Sequence, residues 1–411
     1  MRVVDLGTFL IPVRLSLAAL MDGGRDEVVA ALQTTFSEFA TAEPVESSEV
    51  LLDYHRSIGA RQTELALFAG SRLIDGLGLV QLHLSSLSIG FVMIELDLPD
   101  GTVIDLESTG AREGFKAHEA VAAQLVSPYV AEWAERVARC LPAHLVGPRP
   151  EAALPASRLL WWHRIAVDPA LGEEFPATRW YGESADLADG ARVTVANGFT
   201  SVLTAPPGAR YARRHLLSDV VEGLIVATQE WVVVDEAKRL LASHLVRLSG
   251  NRRAGVVSVV SVDAQYYEVL KLTEEITLRN LVLHEEARYL ANARGLVRQA
   301  AARVWRMADE AADLDQRIGA LRDLFTLHRE RIFNDRDDRR NRLVFVFTVL
   351  TLIQSVLFGY DFLTGNATVV GPSPRPAIAI AVLALTVLTL VGALLGQPYL
   401  ERLQHRLNRR R

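Results

Sequence analysis

Two uncharged runs near the end of the chain constrain it most: residues 343–360 (LVFVFTVLTLIQSVLFGY) and 376–395 (PAIAIAVLALTVLTLVGALL). At the helical rise they reach roughly 27 and 30 Å, which matches the hydrocarbon thickness of a bilayer. A helix apolar on every face has no wet side to offer a soluble fold. Both runs are therefore expected to span a membrane, as helices 343–362 and 376–396. The connection, DFLTGNATVVGPSPR, is rich in Gly, Pro, Ser and Asn and reads as a short exposed loop. Arginine dominates the flanks, in RERIFNDRDDRRNR before the first run and ERLQHRLNRRR after the second. That bias places both termini in the cytoplasm and the protein in the cell's inner membrane. No signal peptide is expected, because Asp5 and Pro12 interrupt the first apolar stretch.

The rest of the 411 residues is expected to form an α+β domain followed by long stalk helices. Residues 1–205 mix strand-like runs (8–15, 63–69, 77–84, 89–96, 159–167 and 192–203) with helical patterns near 26–40 and 115–140. After Pro206-Pro207, Leu, Ala, Glu and Arg dominate, and 206–342 reads as a helical stalk region. One helix covers 211–248 and stops at Ser249-Gly250-Asn251, and further helices fill 263–342. Leu314, Ile318, Leu321, Phe325, His328 and Ile332 repeat every three or four residues, a seam that suits either self-association or packing on a neighbouring helix. The last of these helices is expected to run unbroken into the hairpin of 343–396, and 397–411 is a basic cytoplasmic tail.

Net charge is −5, which gives no electrostatic reason to expect nucleic acid as a partner. The single cysteine, Cys140, excludes a disulfide scaffold and a cysteine-based zinc site. Neither a GxxxxGK[ST] loop nor GxGxxG, HExxH or GxSxG occurs, so no enzymatic activity is expected. Trp161-Trp162-His163 reads as core rather than as a stacking platform. Polar residues in and before the first apolar run align instead: Asn341, Thr348, Thr351 and Ser355 fall on or beside one narrow stripe, which suits a helix contact or the lining of a water-filled pore. Asp361, just past the stripe, would become a ring of carboxylates in a symmetric oligomer and attract cations.

Gly359-Tyr360-Asp361-Phe362, two expected membrane helices and a basic tail together resemble the CorA-type magnesium transporter superfamily. Its signature, Gly-Met-Asn and an aromatic residue, is matched here by Gly359 and Phe362, while Tyr360 stands for Met and Asp361 for Asn. The resemblance implies a lipid-embedded homo-oligomer, a pentamer in that family, with the first membrane helix lining a cation pore and the cytoplasmic domain gating it. It further implies Mg²⁺ or another divalent ion as the transported or regulatory species, with Asp361 as its ligand. An alternative keeps the scaffold without selective transport: a membrane-anchored signalling or effector protein whose cytoplasmic domain answers a ligand or partner.

Overall fold

The computed structural model describes residues 2–40, 66–97, 109–150, 153–167, 182–187, 190–196, 200–204, 210–253, 259–290 and 292–365. They fall into two units, divided between Asp323 and Leu324.

The first unit is built on an eight-stranded sheet. Its strands are β1 (Arg2–Leu10), β3 (Ala66–Ile74), β4 (Gly78–Ser85), β5 (Ile89–Asp97), β7 (Leu159–Val167), β8 (Glu183–Asp186), β9 (Arg192–Ala196) and β10 (Thr200–Thr204). Their order across the sheet is β3-β4-β5-β1-β7-β10-β9-β8. All neighbours are antiparallel except β7 and β10, which run parallel. A small ribbon pairs β2 (Val13–Leu15) with β6 (Val146–Pro148). Pro12, between β1 and β2, has no N–H to give a ladder and separates the two.

Residues Val3 to Leu10 of β1 are all buried, as expected of a central strand covered on both faces. Side chains alternate between faces along β7, and the alternation shows the two covers. Arg164 points to the face of α4 (Thr109–Cys140), whose Glu119 it influences electrostatically. On the opposite face Trp161 packs edge-on against Trp231 of α5 (Arg210–Arg253), with ring centres 4.3 Å apart. Two shorter helices, α2 (Arg25–Thr35) and α3 (Ser37–Ala40), complete the α4 side, where Phe36, Phe39, Phe68 and Trp133 form an aromatic cluster. They follow α1 (Leu17–Ala19) and a π-helical segment, Leu20–Gly24.

α5 is joined by α6 (Val259–Tyr289) and α7 (Asn292–Val304). Gly223 lets α5 and α7 meet closely, since a Cβ there would lie 2.7 Å from the Arg294 carbonyl oxygen. Arg306, at φ 52°, separates α7 from α8 (Met307–Gly365). Leu314 and Leu321 in the first turns of α8 are buried, and Lys238 of α5 reaches Glu310 and Asp313 at 2.5 Å. Part of the seam that suits either self-association or packing on a neighbouring helix is thus covered within the first unit.

The C-terminal expectation requires correction. Among the described residues no helix is long and apolar enough to cross a membrane, so the transmembrane hairpin is not part of the observed fold. Residues 343–362 belong to α8, a helix that is heavily charged just before them, from Asp335 to Arg342. The second expected span, 376–396, and the basic tail, 397–411, lie outside the described residues. The expectations of a membrane protein and an ion channel lose the hairpin on which they rested.

Candidate functional site

The fold buries three charged residues that lie within strands: Asp5 in β1, Arg14 in β2 and Arg164 in β7. A buried charge is tolerated only with a partner, so each marks a constructed polar site.

Asp5 and Arg164 face each other across the β1–β7 ladder and are fully buried. Arg164 Nε donates to Asp5 Oδ1 at 2.6 Å and Nη2 to Oδ2 at 2.5 Å, a bidentate pair. Glu119 of α4 lies over them. Burial, with Arg164 and Lys116 opposing and Asp5 assisting, pushes its carboxyl up to about 7. On the other face His163 Nε2 and Ser201 Oγ are 2.9 Å apart. Burial pulls that imidazole down to about 3, and Ser201 is inaccessible, so the pair has no route to a substrate.

Arg14 belongs to a larger assembly. Glu236 of α5 is 2% exposed and stands among three guanidinium groups. These come from Arg14 (3.2 Å), Arg279 of α6 (3.4 Å) and Arg149, which follows β6 and donates to Glu236 at short range. Glu275, one turn before Arg279, accepts two hydrogen bonds from Arg14 at 3.1 Å. Arg149 also ties the cluster to the sheet, donating from Nε to the Ile11 carbonyl (2.9 Å) and from Nη2 to the Ser88 carbonyl (3.4 Å). Although burial opposes its charge, Arg149, Arg14 and Arg279 together hold the Glu236 carboxyl below the ordinary range. Burial lowers Arg149 to about 10 despite the attraction of Glu236. With three cations and two anions among the described residues, the cluster carries an excess positive charge, and the Nε groups of Arg14 and Arg279 have no hydrogen-bond acceptor there.

A pocket of about 210 Å³ is lined by residues close in sequence to members of this cluster. Its apolar wall is Leu17, Leu20, Met21, Leu67 and Val282, and its polar groups are Arg25 and Ser86. Two short connections bind pocket to cluster. Ser86 sits in the β4–β5 turn two residues before Ser88, which is held at φ 62° and whose Oγ accepts from Leu15 N–H at 2.8 Å. Val282 lies three residues after Arg279, on the same face of α6. The Ser86 hydroxyl is buried and has no hydrogen-bond partner among the described residues.

The residues singled out from sequence lie elsewhere, along α8. Asn341, Thr348 and Thr351 are exposed. Thr348 Oγ1 donates to the Val344 carbonyl and Thr351 Oγ1 to the Phe347 carbonyl, each at 2.8 Å, so both hydroxyls are satisfied within their own helix. Ser355, Gly359, Tyr360, Asp361 and Phe362 belong to α8, but their side chains are outside the described residues. Among the described residues no group of three or more His, Cys, Asp or Glu is placed to hold a metal ion. The cluster and pocket were missed because their members come from six separate segments. The available signal was Arg14 within an apolar run, together with the Glu275–Arg279 spacing.

Compared with protein-family models, with curated proteins and with solved structures, the chain shows no match to any.

Proposed function

We propose that the chain is a signalling or effector protein in which the α/β domain receives a ligand or partner and the helices α5 and α6 relay its occupancy. The observation that carries this reading is the charge cluster around Glu236. It is a buried polar connection from the β2–β6 ribbon and the β4–β5 turn to both helices. A buried ionic junction is a poor source of stability compared with apolar packing, but it has discrete alternatives: shifting one guanidinium obliges the others to find new partners. α5 in turn grips the start of α8 through Lys238. The reading keeps from the CorA-type resemblance the relay from an α/β domain through long helices, and leaves out ion passage.

Hydrogen exchange on the full chain tests it. Arg149 touches neither α6 nor Glu275 directly in the cluster's bonding pattern, yet Arg149→Met is expected to raise exchange in α6 around Arg279 as well as near Glu236. A change confined to the residues around Arg149 would show that the cluster does not transmit.

A further inference from the structure

The pocket has features that specify an occupant. We infer that it binds a small aliphatic carboxylate, its chain among Leu17, Leu20, Met21, Leu67 and Val282 and its carboxylate toward Arg25 and Ser86. This inference rests on the relay reading, for which it names the ligand class.

Size comes first. A cavity of about 150 Å³ accommodates a benzene-sized molecule, so 210 Å³ suits roughly eight non-hydrogen atoms, as in a six-carbon acid. Chemistry comes second. The walls are predominantly apolar, and the Ser86 hydroxyl, 3% exposed, has an unmet hydrogen bond that a ligand oxygen would satisfy. Charge comes third. Arg25 stands at the pocket, and one turn from Val282 begins a cluster in which Arg14, Arg149 and Arg279 outnumber Glu236 and Glu275. Asp22 and Asp26 flank Arg25 in sequence but are exposed, where water and salt screen them. The positive excess of the cluster is buried and is screened far less.

The pocket wall is also able to adjust. Leu20 and Met21 lie in the π-helical segment, in which Asp22 and Gly23 leave helical geometry and Gly23 reaches φ 103°. Such interruptions recur at functional sites because they release a helix from a single register. Val282 comes from α6 while the other wall residues come from the α1–α2 region and the sheet, so one ligand touches both sides of the proposed relay.

The test is calorimetric titration of the full-length protein with hexanoate, hexanol and acetate, followed by hydrogen exchange with the bound ligand. Hexanoate is expected to bind at least tenfold more tightly than either analogue. Arg25→Gln should erase the preference of hexanoate over hexanol, and Ser86→Ala should weaken hexanoate several-fold. Equal binding of hexanoate and hexanol would overturn the carboxylate assignment, and no binding of hexanoate at millimolar concentration would overturn the site. Because the analogue comparison uses the unaltered protein, it does not depend on any variant folding. Hexanoate binding with unchanged exchange in α6 would sink the relay while leaving the ligand class in place. Absence of binding together with a long-range effect of Arg149→Met would do the reverse.

Discussion

Replacing Glu236 by Gln is the sharpest test of the junction between sheet and helices. The side chain keeps its shape and one carbonyl oxygen, but the negative charge disappears from among Arg14, Arg149 and Arg279. Glu275 is then the remaining anion of the cluster, and its side chain is 32% exposed, so its attraction is weakened by water. The buried excess rises from one positive charge to two. Removing one partner of a buried ion pair costs ~3–5 kcal/mol, because the charge left behind is neither solvated nor paired. The introduced amide can still accept a hydrogen bond from one guanidinium, which places the expected loss near the lower end, ~3 kcal/mol. Urea is the suitable denaturant, since guanidinium chloride would screen the interaction under study. The Trp161–Trp231 contact joins the sheet to α5 and gives a fluorescence signal for their separation. A parallel Arg149→Met/Glu236→Met variant removes one charge of each sign and should be less destabilised than Glu236→Met alone. A loss under ~1 kcal/mol for Glu236→Gln, in the range of an exposed pair, would refute the claim that this carboxylate organises three buried guanidinium groups.

Further outcomes follow from the same physics. Asp5→Ala should cost ~3–5 kcal/mol by stranding Arg164, while Asp5→Leu/Arg164→Met should recover much of it; equal losses in urea melts would argue against a coupled pair. Gly223→Leu should separate α5 from α7 and lower the melting temperature measured by circular dichroism, because the side chain would run into the Arg294 backbone. Glu119 has a folded-state pKa raised to about 7 from 4.5, so the folded state binds more protons between those values and stability falls as pH rises through that window. The full shift corresponds to ~3 kcal/mol, reduced to ~1–2 by the partial exposure of Glu119; Glu119→Gln should remove this slope, and unchanged pH curves for the two proteins would refute it.

The strands are the most legible elements, because apolar runs bounded by turn residues carry most of that signal. The run at 159–167 coincides with β7, and that at 89–96 ends one residue before β5 does. Two expected strands each prove to be two. Pro12 divides β1 from β2, and β9 and β10 pair as antiparallel neighbours where the pattern suggests a single run, 192–203; Asn197-Gly198 in its middle is the sequence signal for a hairpin. Strand β8, Glu-Ser-Ala-Asp, has poor intrinsic strand propensity and owes its conformation to pairing with β9, including the exposed Arg192–Asp186 contact at 2.6 Å. Ser249-Gly250-Asn251 reads as a helix end, but α5 continues through it to Arg253. One glycine in a long helix costs only ~1 kcal/mol, which neighbouring turns can absorb. At the C-terminus the expected continuity holds, since α8 runs unbroken from Asp337, Asp338, Arg340 and Arg342 into the apolar residues, but among the described residues no helix is long and apolar enough to cross a membrane.

The site is less legible than the fold for a different reason. Periodicity reports which face of an element is apolar, and it treats an isolated charge in an apolar run as noise. Asp5, Arg14 and Arg164 are such interruptions, and each is a buried, paired group. The desolvation of a guanidinium is so unfavourable that its presence between Val13 and Leu15 demands an anion from some other part of the chain. Sequence can state that demand but not who meets it, since Glu236 and Glu275 are more than two hundred residues away and lie on helices with many other acidic side chains. Along α8, Thr348 and Thr351 read as a polar stripe that suits a helix contact or a pore, and each hydroxyl donates to its own backbone one turn earlier. A charge that no local group can satisfy is therefore the stronger pointer to a built site, and by that criterion the built polar site is the one where Arg14, Arg149 and Arg279 converge on Glu236.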